Sequence, residues 1–266
     1  MVYALGCRKD PVDLRDLPMG LVLPQIPVPS VVDYTSRMTP VRDQGDEGTC
    51  VAFASVVGVK EYEDTKEYKK NVSLSPRYVY SLCKKYDGIP DEEGTYPRVA
   101  MKVLLKHGVC PESFWPYKPH QTDDHRKGAD QKARRYRIEA YARLQSVQEM
   151  KRSLYVNGPF LAGVRVYESW FTECVKRTGM IPLPRKGEEM LGGHAVCIVA
   201  YDDNKQLFKF KNSWGKGWAR KGYGHLPYIY MQRYCSDAWS ATDLIEDPRT
   251  LVKSRVNILK KFFVTV

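Results

Sequence analysis

The run from Cys50 to Lys60 is apolar on nearly every side, so it has to be buried in whatever fold the chain adopts. A loop with glycines at positions 45 and 48 precedes this run, and the charged stretch 61–68 follows it. The valines of the run are compatible with a buried strand, but the continuation into 61–68 favours a helix. We therefore predict a buried helix that begins at Cys50 and is entered through a tight loop.

Helical signals come early in the chain and strand signals come late. Further helices are predicted after Ser75 and over residues 96–106, and a capping box at Ser146 starts another that ends near Gly158. Strand-like runs then occupy residues 160–166, 195–201, 206–211 and 223–228. This order predicts an α+β fold with a mainly helical N-terminal lobe and a C-terminal β lobe.

The two ends of the chain have a different character from the middle. Prolines at 11, 18, 24, 27 and 29 disfavour a regular helix or central strand near the start, so we expect residues 1–31 to form a strap or a short pro-like segment. The main domain is predicted over 32–235, with the helical lobe at about 45–140 and the β lobe at about 141–235. Residues 236–266 are predicted to be a C-terminal extension, which is either a terminal strand or a partner-binding element.

Composition limits the classes of function. Of the 266 residues, 43% are apolar and 27% charged, which is typical of a globular chain, and no run approaches the ~20 apolar residues of a membrane span. The start lacks the pattern of a secretory signal, so we expect a cytoplasmic location. The net charge of +11 is spread along the chain, and its one dense cluster, at 134–137, carries no nucleic-acid motif. We expect a monomer with a solvated basic surface, no membrane contact and no specific nucleic-acid partner.

The chain has seven cysteines, at positions 7, 50, 83, 110, 174, 197 and 235. The number is odd, and no two have the short spacing of a zinc-binding pair. We therefore expect neither a metal nor a disulfide framework, and no other cofactor. At least one thiol is then available for chemistry.

Three segments contain residue types that suit nucleophilic catalysis together. Cys50 is predicted at a helix N-terminus, where the helix dipole favours a thiolate, and Gln44 offers an amide donor nearby. His194 opens an apolar strand after two glycines, which predicts a position at a sheet edge with room for a substrate. Asn212 ends another strand and can accept a hydrogen bond from an imidazole, with Trp214 close by to exclude water.

These segments resemble the three motifs of papain-like cysteine peptidases, the papain and cathepsin family. The nucleophile motif runs from Thr39 to Ser55, the histidine motif is Gly-His-Ala-Val around His194, and the asparagine motif starts at Lys211. Cys50 follows Gln44 by six residues, and His194 follows Cys50 by 144, within the spacing of that family. The resemblance covers about residues 32–230 and implies a papain-like fold with the active-site cleft between the two lobes.

The resemblance also implies roles for particular residues. Cys50 would be the nucleophile, His194 its acid and base, Asn212 the residue that orients the imidazole, and Gln44 an oxyanion donor with the amide of Cys50. A peptide or protein substrate would bind along an apolar pocket and cleft lined by Gly94, Thr95, Tyr96, Pro97, Gly163, Gly193, Ala195 and Trp214.

The chain departs from the family pattern at several positions. Glu47 stands where most members have a disulfide-forming cysteine, so the nucleophile loop must be held in another way. Val51 replaces an aromatic residue, and Gly193 replaces a polar one. Only about thirty residues precede the catalytic region, and we expect them to pack along a lobe near the cleft as a strap or minimal regulator.

The predicted function is that of a cysteine-type endopeptidase. Two alternatives stay open: a transamidase or acyltransferase that uses the same acyl-enzyme, and a non-catalytic binding module on a papain-like scaffold.

Overall fold

The computed structural model describes residues 3–121 and 125–242. Its central feature is one continuous helix made of α1 (Cys50–Phe53), a π-helical stretch (Ala54–Lys60) and α2 (Glu61–Tyr68). Every residue from Cys50 to Lys60 is buried, which confirms the predicted buried helix. This helix packs closely on the sheet, because a Cβ on Gly58 would lie 2.4 Å from the Cβ of Cys197.

Three more helices complete the helical lobe. α3 (Pro76–Tyr86) begins at Ser75, whose hydroxyl accepts the amide of Tyr78 at 3.2 Å, and proline occupies its first turn. α4 (Pro97–Lys106) begins after Tyr96 and also has proline in its first turn, but no side chain caps it, and α5 (Ala129–Ala133) is short. The first two confirm the helices predicted after Ser75 and over 96–106.

The β lobe contains one antiparallel sheet of seven strands. They are β1 (Val31–Asp33), β2 (Ala140–Arg143), β3 (Phe160–Tyr167), β4 (Met190–Asp202), β5 (Leu207–Lys211), β6 (Tyr223–Pro227) and β7 (Cys235–Thr242). The order is β2-β7-β3-β4-β5-β6, and β1 pairs with β4. Three helices pack around the sheet: α6 (Val147–Asn157), α7 (Glu173–Thr178) and α8 (Tyr228–Tyr234).

In residues 3–121 and 125–242 the remaining helical structure is three short 3₁₀ turns, at Met19–Leu21, Thr35–Arg37 and Glu168–Phe171. Two apolar cores result. One lies within the helical lobe and against the near face of the sheet, and the other lies between the far face, α6 and α8. No helix in the described part of the chain is both long enough and apolar enough to cross a membrane.

Two sequence predictions about the β lobe are wrong. β4 begins at Met190 rather than 195, because Gly192 and Gly193 continue the extended backbone, and β4 lies between β3 and β5. His194 is therefore inside a central strand, not at a sheet edge. Residues 236–242, the start of the predicted C-terminal extension, lie in β7 and pair with both β2 and β3, as the terminal-strand alternative expects. The rest of the predicted C-terminal extension lies outside the described residues.

Candidate active site

Cys50 is the first residue of α1 and lies at the junction of the two lobes. Its sulfur accepts the amide of Ala195 at 3.4 Å and also the amide of Gly6. The side chain is fully buried, and this loss of solvent raises the pKa of the thiol to about 11 against the opposing effect of those amides. Burial therefore disfavours the thiolate in this closed state.

His194 is held on the opposite lobe by two neighbours. Its Nε2 lies 2.7 Å from Oδ1 of Asn212, the residue that follows β5, and the same oxygen accepts the amide of Ser213 at 2.8 Å. The ring of Trp214 stacks on the imidazole with 4.4 Å between centroids. Nδ1 is buried and has no hydrogen-bond partner among the described residues. Burial lowers the pKa of His194 to about 4 and so disfavours the imidazolium.

Gln44 is fixed in the loop that precedes Cys50. Its Nε2 donates to the carbonyl oxygens of Glu47 at 2.9 Å and Ala4 at 3.3 Å, and its Oε1 accepts the hydroxyl of Ser213 at 2.5 Å. The backbone amide of Gln44 donates to the Ser213 carbonyl at 2.8 Å, which ties this loop to the segment after Asn212. The four predicted catalytic positions therefore surround one point between the lobes.

An ion pair holds the nucleophile loop where other members of the resembled family have a disulfide. Both carboxylate oxygens of Glu47 accept from the guanidinium of Arg77 on α3, and both side chains are buried. The amide of His120 and the hydroxyl of Tyr117 donate to the same carboxylate at 2.9 and 3.2 Å. All seven cysteines are unpaired, including Cys174, which is exposed.

The N-terminal strap, which we define as residues 3–16, runs through the cleft. Tyr3 stacks on Trp214 with 4.7 Å between ring centroids, and the Ala4 carbonyl occupies the Gln44 donor. Further along, the amide of Cys7 donates to the Gly193 carbonyl at 3.0 Å, and Cys7 forms a parallel bridge with Thr95. The strap thus takes up the backbone groups on both walls of the cleft.

The strap blocks the site without presenting a bond for attack. The strap group that hydrogen-bonds to the Cys50 sulfur is the amide N–H of Gly6, whereas the carbonyl at Gln44 belongs to Ala4. Nucleophilic attack needs a carbonyl carbon at the sulfur with its oxygen at the oxyanion donors. The closed arrangement does not meet that requirement.

A buried cluster of charges anchors the far end of the strap. The Asp10 carboxylate accepts the amide of Arg98, at the start of α4, at 3.1 and 3.2 Å, and the indole N–H of Trp239 at 2.8 Å. Its own amide donates to Asp237 at 3.1 Å. Burial and the nearby Asp237 carboxylate together raise the pKa of Asp10 to about 6.

A second strap carboxylate completes this anchor. Asp16 pairs with the guanidinium of Arg98 at 2.7 Å and with that of Arg143 at 3.1 Å. Arg143 in turn pairs with Asp237 at 2.7 Å.

Six of the eight predicted substrate-binding residues contact the strap or Cys50. Gly94, Thr95, Gly163, Gly193 and Trp214 contact the strap, and Ala195 contacts Cys50, whereas Tyr96 and Pro97 open α4. The Cys7 side chain fills the space above Gly163, since a Cβ there would lie 2.7 Å from the Cys7 sulfur. The lining around Cys7 also includes Ser236 and buried Asp237, so it is more polar than the sequence predicted.

Comparison with known proteins gives one consistent family. The family profile described as "Papain family cysteine protease" matches residues 28–242. The chain is 29% identical over 236 residues to "Uncharacterized peptidase C1-like protein L477" of Acanthamoeba polyphaga mimivirus, which covers 81% of this chain and 76% of that protein. It is 28% identical to cathepsin K of Mus musculus over 213 residues, which are 75% of this chain and 60% of that one.

Two solved structures have folds similar to that of this chain. Xylellain, a cysteine protease from Xylella fastidiosa, superposes with a TM-score of 0.79 at 30% identity, over 91% of this chain and 97% of that one. Digestive procathepsin L 3 of Tenebrio molitor gives a TM-score of 0.70 at 22% identity, over 86% and 74% of the two chains, which bears on the fold alone. These likenesses confirm the predicted two-lobe α+β fold.

Proposed function

The chain belongs to the papain family of cysteine proteases and is a cysteine peptidase, and on that premise we propose that it hydrolyses peptide bonds through an acyl-enzyme on Cys50. The observation that carries this proposal is the meeting of a helix-terminal thiol, an imidazole bound to an amide oxygen, and an amide donor at one cleft. Each of these groups has a defined use in acyl transfer.

The proposed steps follow from the positions of the groups. With Nε2 of His194 engaged by Asn212, the unpartnered Nδ1 is the nitrogen that takes the proton of Cys50. The thiolate attacks the scissile carbonyl carbon, and Gln44 with the amide of Cys50 binds the oxygen that becomes negative. The imidazolium then gives its proton to the leaving amine. Finally His194 deprotonates a water molecule, whose attack releases the acid and restores the thiol.

We further propose that the structure is a latent form, inhibited by its own strap. Access to Cys50 requires the strap to leave, since its backbone occupies the Gln44 donor and the edges at Thr95 and Gly193. Departure also admits water to the cleft. The burial that now disfavours the charged forms of Cys50 and His194 would then be relieved, which favours the thiolate and imidazolium forms.

The alternative acyl acceptors have no observation in their favour in the described residues. A transamidase would use the same acyl-enzyme, and its distinguishing feature would be a bound amine, for which the structure gives no defined site. The non-catalytic reading is disfavoured because Gln44, Asn212 and Trp214 each make the contacts that the peptidase steps use.

Active-site labelling tests the proposal. The wild-type protein is incubated with an epoxysuccinyl peptide and examined by intact mass, beside Cys50→Ala and, as a control for general thiol reactivity, Cys174→Ala. We expect one adduct on the wild type and on Cys174→Ala, none on Cys50→Ala, and hydrolysis of fluorogenic peptides only by the first two. An adduct that stays in Cys50→Ala and disappears in Cys174→Ala would contradict the proposal.

A further inference from the structure

One rim of the cleft concentrates acidic side chains in a chain whose net charge is +11. We define the acidic rim as Asp46, Glu92 and Glu93, all on the helical lobe. Glu93 is the innermost, because its Oε2 accepts the amide of Gly48, two residues before Cys50, at 3.2 Å. Glu92 and Glu93 immediately precede the Gly94–Thr95 edge on which the strap pairs.

The charges of the acidic rim are not neutralised by the catalytic domain. Neighbouring acids have fixed partners: Glu47 pairs with Arg77, and Asp87 with Lys84. Within the described residues no lysine or arginine of the domain pairs with the acidic rim. The side chains of Asp46 and Glu93 contact His120, and Glu93 also accepts the amide of Gly48. The rim is therefore an anionic patch that faces the place where substrate would lie.

The strap shows what this patch accepts. The guanidinium of Arg8 lies 2.8 Å from the Glu92 carboxylate and donates to the Glu93 carbonyl at 3.3 Å. The amide of Arg8 donates to the Thr95 carbonyl at 2.9 Å, so this cation belongs to a backbone already paired in the cleft. When the strap departs, Glu92 loses its cationic partner.

We propose that the acidic rim selects peptide substrates with an arginine or lysine within three residues before the scissile bond, with Glu92 and Glu93 as the specificity-determining residues. The inference rests on the peptidase function proposed above. Glu93 is placed to attract a cation next to the scissile bond because it lies against Gly48. Glu92 is placed to attract one further out, where Arg8 lies now. We expect no preference for a basic substrate residue in the pocket that the Cys7 side chain fills, because the carboxylate there, Asp237, is already paired with Arg143.

The size of the effect follows from exposure. The Glu92 and Arg8 side chains are 56% and 46% exposed, so each ion pair is a solvated one. Exposed pairs of this kind change an equilibrium by about two- to fivefold each, and added salt reduces the effect. We therefore expect arginine to be preferred over a neutral residue of the same shape by about two- to fivefold per carboxylate at low salt.

The test uses pairs of fluorogenic peptides that differ only by arginine or citrulline, its neutral isostere, at the first, second or third residue before the scissile bond. The ratio of kcat/KM within each pair is measured for the wild type, for Glu92→Gln and for Glu93→Gln. Glu173→Gln is the matched control, since Glu173 is an exposed acid on α7 that pairs only with Lys176. The ratio is independent of how much enzyme has an open cleft, so a latent wild type gives the same answer as an activated one.

We expect the ratio to favour arginine at the first or third position, to fall toward one in Glu92→Gln or Glu93→Gln, and to stay unchanged in Glu173→Gln. Hydrolysis of both members of every pair with ratios near one would overturn the inference and leave the peptidase function standing. So would a preference that survives both substitutions. If enzyme that reacts with the epoxysuccinyl peptide at Cys50 hydrolyses none of these peptides, the proposed function is refuted, and this inference with it.

Discussion

Replacing Gly6 by alanine is expected to open the cleft without touching the catalytic residues. Gly6 lies where the strap crosses the nucleophile loop, and its amide contacts the Cys50 sulfur. A Cβ at this position would lie 2.0 Å from the Gly48 carbonyl oxygen and 2.4 Å from the carbonyl carbon. Gly6 does not have a positive φ, so the substitution acts through this collision rather than through backbone strain.

The collision cannot be relieved by a side-chain rotation, because both atoms it meets are backbone. Those atoms belong to a loop that Glu47, Arg77 and Gln44 hold from three sides. Overpacking a tight site costs about 1–3 kcal/mol. A cost of this size lowers the ratio of docked to released strap by about 5- to 150-fold, since about 1.4 kcal/mol is tenfold. As long as the docked form predominates, kcat/KM rises by the same factor.

Turnover and hydrogen exchange together measure this change. Gly6→Ala should cleave fluorogenic peptides faster than the wild type, with a matching loss of exchange protection at the amides of Cys7 and Arg8. Gly217→Ala is the matched control, because a Cβ at Gly217 meets nothing within 4 Å. Wild-type turnover together with wild-type protection in Gly6→Ala would refute the steric reasoning. Faster turnover with unchanged protection would refute the inhibitory role of the strap.

Three further predictions concern the anchor, the loop and the oxyanion donor. Burial raises the pKa of Asp10 from 3.8 to about 6, so the contribution of Asp10 to strap docking is full below pH 3.8 and is lost as pH rises through 6. Burial lowers the pKa of His194 from 6.5 to about 4, so the contribution of His194 is present above pH 6.5 and is lost as pH falls toward 4. Because the two effects oppose each other, the hydrogen-exchange protection of the strap amides should change little in the wild type between pH 4 and 6.5. In Asp10→Asn this protection should fall as pH is lowered through that range, and a flat profile in the variant would contradict the reasoning. Glu47→Gln leaves the buried Arg77 without its countercharge and should lower the free energy of unfolding, measured in urea, by about 3–5 kcal/mol. The control Glu173→Gln, which breaks an exposed ion pair, should change it little. A loss below about 1 kcal/mol in Glu47→Gln would show that other contacts hold the loop. Gln44→Ala, in the Gly6→Ala background, should lower kcat by about 100-fold with KM nearly unchanged, and a rise in KM alone would indicate that Gln44 only binds substrate.

The sequence predicted most of the regular structure that carries the site. The helix at Cys50 could be recognised because its apolar residues cover all sides of the helix, and α3, α4 and α6 have local capping signals. β1 and β2 were missed, and β7 was anticipated only as one of two alternatives for the C-terminal stretch, since short strands are stabilised by their neighbours in the sheet rather than by local signals. α8 was also missed: Tyr228–Tyr234 has no side-chain cap and continues the aromatic character of the strand before it.

The four residues predicted to be catalytic were identified from motif spacing, but the contacts made across the cleft could not be identified in this way. Asp10 and Asp237 are 227 residues apart, and nothing near either one indicates that they meet. Glu47 was recognised as a departure from the family pattern, yet its partner Arg77 lies on another helix and had no signal of its own. Long-range polar pairs of this kind depend on the three-dimensional arrangement of several elements, which local sequence patterns do not encode.

In the latent form proposed above, the strap would inhibit through solvation as well as through occupancy. A thiol and an imidazole become an ion pair only if the charged forms are stabilised, and the burial of Cys50 and His194 disfavours both, since it raises the pKa of the thiol to about 11 and lowers that of the imidazole to about 4. Displacement of the strap would therefore restore substrate access and nucleophilicity in one step, with no bond cut. The strap also survives in its own active site, because it offers Cys50 an N–H and not a carbonyl carbon. Reversible docking would then be sufficient for control, and the strength of the Asp10 and Asp16 anchor would set how much enzyme is active.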